Sequence, residues 1–142
     1  MPDSNQGQIQ YINPEGLSKN PALTNVITVT GPVKTIYIGG QDAVDASGAI
    51  VGSDDIKLQT EQVLNNLQTA LKAAGAAPEH VIKWNIYVVA GQPIQPAFEV
   101  FQRVWGRPAN PPAITMMFVS GLANPAFLVE IDAIAVVPET NI

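Results

Sequence analysis

Between Phe127 and Val137 the chain alternates with a period of two, the signature of a strand whose side chains point to opposite faces of a sheet. Phe127, Val129, Ile131, Ala133, Ala135 and Val137 form one wholly apolar face. Leu128, Glu130, Asp132, Ile134 and Val136 form the other. Two carboxylates among large aliphatics are costly unless they are paired, hydrated or in use. The preceding run, Pro112–Ser120, is apolar on both faces. An antiparallel sheet with one wet side alternates cleanly, so this one requires cover on its second side.

A chain of 142 residues suits one domain, read here as residues 1–142, with an N-terminal extension and loop to residue 25 and a core over 26–138. It contains no cysteine, which excludes disulfides and thiolate chemistry. Seven basic residues against twelve acidic ones give a net charge of −5. Lys19, Lys34, Lys57, Lys72, Lys83, Arg103 and Arg107 are scattered, without the basic footprint that nucleic acid needs. No apolar run approaches the roughly 20 residues of a membrane span. The N-terminal residues carry no leader pattern, so the cytoplasm is the expected compartment. Charged residues are 13% of the chain, about half the usual quarter. Such a surface suits a chain that hides part of itself in a partner.

Gln8–Ile12 reads as a short edge strand after a polar, loose segment 1–8, and Asn13–Gly16 as a turn. The β-branched run Val26–Thr30 and the segment Lys34–Gly40 read as strands, and Gly31-Pro32 between them predicts a hairpin. Asp54 is expected to cap a helix in which Ile56, Thr60, Val63, Leu64, Leu67, Leu71 and Ala74 recur at helical spacing. Gly75 stands where a left-handed C-terminal cap is wanted. A strand follows over His80–Val89, then a second helix from about Ile94 or Ala97 to Trp105. Five or six strands with two helices leave one sheet face uncovered. Met116, Phe118, Ile134 and Val136 are expected to lie on it, and such a patch marks an interface. A symmetric homo-oligomer packed sheet against sheet is the expectation.

Gln59–Leu67, Leu71–Gly75, Val81–Lys83 and the closing Val129-Glu130-Ile131-Asp132-Ala133-Ile134-Ala135 together resemble the reactive-intermediate deaminase (RidA, or YjgF-type) family, whose last strand carries a Glu-Ile-Glu-Ala-Ile-Ala signature. The resemblance implies an α+β, chorismate-mutase-like fold, a mixed sheet of about six strands with two helices on one face. It also implies a homotrimer with small-molecule clefts between subunits, no metal and no cofactor. The best-known members hydrolyse 2-imino or enamine acids to 2-keto acids and ammonia.

Several of the family's site positions are altered. Its Pro-Ala-Arg stretch, whose arginine holds the substrate carboxylate, matches Pro112-Ala113-Ile114. The cysteine two residues on is Met116, the tyrosine near the N-terminus falls at Val26, the serine before Gly-Gln is Gly39, and an asparagine on the second helix falls near Phe98. Glu130, which positions or activates water in active members, is retained. The expected ligand-binding residues are therefore Ile114, Met116, Val26, Gly39 and Phe98, with Arg107 as a substitute anion anchor or a plain surface residue. The expected catalytic residue is Glu130, against the alternative of a structural carboxylate at a subunit seam.

Ile114 cannot make the bidentate contact of an arginine, so activity on simple imino acids is expected to be weak or altered. The alternative is a non-catalytic trimer that binds or senses a small ligand. A ribonuclease is disfavoured by the charge. His80, the only histidine, reads as a surface residue. Asp42, Asp45, Ser47 and Gly48 lack the spacing of a calcium loop and read as a turn.

Overall fold

The computed structural model describes residues 5–140. Residues 1–4, part of the segment expected to be loose, lie outside it. The rest of that segment is engaged: Gln6 bridges to Thr140, and the Gly7 N–H donates to the Glu139 carbonyl at 2.9 Å. Six strands and two helices follow: β1 (Gln8–Ile12), β2 (Val26–Thr30), β3 (Val33–Gln41), α1 (Ile56–Ala73), β4 (Val81–Val89), α2 (Ile94–Trp105), β5 (Ala113–Val119) and β6 (Val129–Pro138). A single 3-10 turn, Pro78–His80, precedes β4.

The strands form a two-stranded sheet, β1-β2, and a four-stranded mixed sheet in the order β3-β6-β4-β5. β6 is antiparallel to both neighbours, whereas β4 and β5 run parallel. A parallel pair needs a crossover, and α2 supplies it. The hairpin expected at Gly31-Pro32 does not form: β2 pairs with β1, and β3 pairs with β6. Gln6 and Glu139 both reach that bend. Glu139 N–H donates to the Pro32 carbonyl at 2.9 Å, and a Cβ on Gly31 would lie 2.6 Å from the Gln6 carbonyl oxygen.

α1 begins one residue later than its expected cap. Asp55 is the N-cap, its carboxylate accepting from the N–H groups of Lys57 and Leu58, while Asp54 takes a positive φ of 58°. The C-terminus ends as Gly75 requires, with φ 76°. Ala76 N–H bonds to Leu71 O and Gly75 N–H to Lys72 O, the paired bonds of a Schellman motif. Ile56, Thr60, Val63, Leu64, Leu67 and Leu71 are buried as their spacing predicts, but so is Gln59.

Both helices lie on the sheet face that carries Trp84, Val88, Val129, Ile131, Ala133 and Ala135. In-register pairing puts Ile114, Met116 and Phe118 of β5 on that same face. The expectation for Met116 and Phe118 is therefore corrected: they are 41% and 54% exposed because the helices stop short of the edge strand, not because they face the other way. Val136 is on the open face yet buried. Tyr37 (77% exposed), Met117, Ile134, Glu130 and Asp132 occupy the open face.

Candidate functional site

α2 packs on β4 through a cluster of rings. Trp84, 1% exposed, meets Phe101 at 5.9 Å and Trp105 at 4.8 Å between centroids, both edge to face, the geometry aromatic pairs prefer. Where α2 diverges from β5, a groove of about 510 Å³ opens, within the range of small-molecule sites. Trp84, Ile86, Val88, Val129 and Ile131 line its floor, and Ile94, Ala97, Phe98, Phe101 and Trp105 its helical wall. Ile114 and Met116 form the strand edge. The rim includes Arg107, Pro108 and the loop Asn20–Leu23. That loop is anchored by Thr24, whose N–H and hydroxyl donate to the carbonyls of Pro112 (3.1 Å) and Pro111 (2.6 Å). Arg107 is the one charged side chain lining the groove and has no ion pair among the described residues.

Glu130 lies elsewhere. Val129 and Ile131 both face the groove, so the intervening Glu130 points to the open side. Its carboxyl group rests over Gly40: a Cβ there would come within 2.8 Å of the Glu130 carboxyl carbon and Oε2. The neighbouring Asp132 accepts from Asn85 at 2.7 Å and from the Tyr87 hydroxyl at 3.2 Å. The charge of Asp132, with partial desolvation, raises the pKa of Tyr87. Asp42 stands beside Glu130. Burial, then the hydrogen bond to Glu130 and its charge, push the Asp42 carboxyl up to about 7. In contrast, Asp45 is held below the usual carboxylate range by bonds from the Ser47 hydroxyl and the Ala49 N–H, as befits a turn.

The candidate residues thus fall into two groups on opposite sides of one sheet. Phe98, Ile114, Met116 and Arg107 share the groove; Gly39 and Glu130 belong to the open face, and Val26, 39% exposed at the start of β2, lines neither. His80 is partly buried, its Nδ1 accepting from the Ala77 N–H at 2.9 Å. Sequence reasoning read Asp42 only as part of a turn and passed over Trp84, Phe101 and Trp105 as groove lining. The signal for Asp42 was the Gly39-Gly40 pair inside a strand, which often marks a bulge.

A mixed sheet backed by two helices on one face defines an α+β protein of the chorismate-mutase-like fold. A family model described as Endoribonuclease L-PSP matches residues 19–137. A RutC family protein of Pyrococcus horikoshii is 35% identical over 100 residues, covering 70% of this chain and 77% of its own. The crystal structure of a Rid family protein of Yersinia pestis, described as of unknown function, aligns with a TM-score of 0.78 at 33% identity, covering 89% of this chain and 97% of that one. RidA of an Antarctic Psychrobacter aligns with a TM-score of 0.65 at 29% identity, covering 72% and 80%. The chain belongs to the Rid family, the group also known by the names YjgF and RutC. No helix among the described residues is long and apolar enough to cross a membrane.

Proposed function

We propose that this protein binds a small, largely apolar metabolite in clefts built between copies of the chain, a homotrimer by its resemblance to the Rid family. Each cleft takes a greasy wall from the α2–β5 groove of one copy and the Glu130 carboxylate from the open face of another. The observation that carries this reading is the split itself: Ile114 and Met116 lie on one side of the sheet, Glu130 on the other, and one subunit cannot bring them together. The exposed Met116, Phe118 and Tyr37 supply apolar surface for such a seam.

Glu130 is the group available to take a proton from water attacking an imine carbon. Anchoring is the weak part. Ile114 offers no charge to a substrate carboxylate, and losing a buried charge partner costs several kcal/mol, order of magnitude. Arg107 at the groove rim is the nearest substitute. Hydrolysis of small 2-imino acids should therefore be slow. Measuring 2-iminobutyrate hydrolysis beside an arginine-bearing family member tests this, and equal rates would refute it. Light scattering tests the composite cleft, which a stable monomer would rule out. Glu130→Gln separates an enzyme, which loses turnover, from a receptor, which binds without turnover in either form.

The ribonuclease reading gains nothing from the surface. Lys19 pairs with Glu15, Arg103 with Glu61, Lys34 donates to the Ala74 carbonyl and Lys83 to Thr115. These cations are dispersed and engaged, unlike a phosphate-binding footprint.

A further inference from the structure

We propose that Asp42, turned onto the open face by a β-bulge at Gly39-Gly40, shares a single proton with Glu130, so that the pair rather than Glu130 alone holds and delivers the proton at this site. The register sets this up. Ile38 pairs with Ala133 and Gln41 with Ile131, so two residues of β3 stand opposite one of β6. A bulge of this kind reverses which residues face which side. With regular alternation from the buried Ile38, Asp42 would point toward the helices. With the extra residue, Gln41 and the fully buried Ala43 are on the helical side and Asp42 comes out beside Glu130. Gly40 completes the arrangement, because any side chain there would collide with the Glu130 carboxyl group.

The Asp42 Oδ1 atom is buried and has no donor among the described residues. Two ionised carboxylates in contact would leave it so. One proton between them satisfies it, and like charges this close favour holding that proton. The other groups facing the pair do not neutralise it. Asp132 adds negative charge and is tied to Asn85 and Tyr87. Lys83, farther along β4, is bonded to Thr115 at 2.7 Å. From α1 comes the neutral Asn66, which donates to the Asp42 and Val44 carbonyls.

The chemistry follows if the cleft reading above holds, on which this step rests. The protonated member of the pair donates to the imine nitrogen while the carboxylate takes a proton from the attacking water. A C–O bond forms at the imine carbon, giving a carbinolamine and leaving one proton on the pair. That proton passes to nitrogen as the C–N bond breaks, and the hydroxyl proton returns to the pair. The sum is imine plus water giving ketone plus ammonia, with the pair restored to its single proton.

The test reads the resting protein, independently of turnover or ligand. Carboxyl 13C NMR of the assembled wild-type protein, Asp42→Asn and Glu130→Gln is followed from pH 3 to 9. One carboxyl step near pH 7, belonging to the pair, is expected in the wild type and should vanish in Asp42→Asn. If Asp42→Asn does not fold, Glu130→Gln reads the same point, and the step should disappear or move well below 7. A wild type whose carboxyls all titrate below about pH 5, or a step that survives both substitutions, overturns the proposal. Either result leaves the cleft itself to the 2-iminobutyrate and light-scattering experiments.

Discussion

Gln59→Leu should destabilise the protein far more than an amide-to-alkyl exchange in a helix suggests. Gln59 is fully buried on α1, with 0% exposure. Its Nε2 donates to the carbonyls of Ala126 (2.8 Å) and Gly52 (3.1 Å), and its Oε1 accepts from the Leu128 N–H (2.8 Å). One side chain therefore pins two loops, one of them the entry to the strand that carries Glu130. Leucine fills a similar volume, so the loss is polar rather than steric. Leu128 is buried, and its orphaned N–H costs about 1–3 kcal/mol. Gly52 and Ala126 are only partly buried, which leaves room for water to replace the lost donor, so each lost bond contributes nearer 1 kcal/mol. The total is about 3–5 kcal/mol, roughly 9–15 °C in Tm at about 3 °C per kcal/mol for a chain this long. Urea titration and thermal melts at one fixed protein concentration measure it, since assembly makes Tm concentration-dependent. Amide exchange at Leu128 should accelerate. A loss below about 1 kcal/mol with that amide still protected would refute the reasoning.

Two further outcomes follow from the open face. Gly40→Ala should displace the Glu130 carboxyl group and cost about 1–3 kcal/mol by overpacking, read by urea denaturation together with carboxyl NMR; unchanged stability and unchanged Glu130 resonances would show that the approach is looser than 2.8 Å implies. Asp42 has a folded-state pKa of about 7, above its ordinary 3.8, so the native state holds the proton more tightly than the unfolded chain. That contribution is complete below about pH 4 and is lost as pH rises toward 7. With the discount for partial exposure it amounts to about 1–2 kcal/mol. Stability measured at pH 5 and pH 8 should differ in the wild type and converge in Asp42→Asn; parallel profiles would contradict it.

Much of the architecture was legible because its signals are local. Period-two alternation announced β6 and the side of the sheet on which Glu130 and Asp132 lie, helical spacing announced α1, and Gly75 marked its end. Gln59 was not legible, since a buried glutamine looks like any polar helix residue until the loops it holds are placed. The Gly31-Pro32 hairpin failed for the opposite reason: a sound local turn signal was overridden because β2 pairs with β1 and β3 with β6.

The amino-acid sequence alone determined most of the elements, the inward faces of α1 and β6, and the family, because each is written in residue identity and short-range period. Only the tertiary structure decided that Ile114 and Glu130 stand on opposite sides of one sheet, and that a single extra residue in β3 brings Asp42 against Glu130. Register between distant strands settles both, and register depends on long-range pairing that no local window contains.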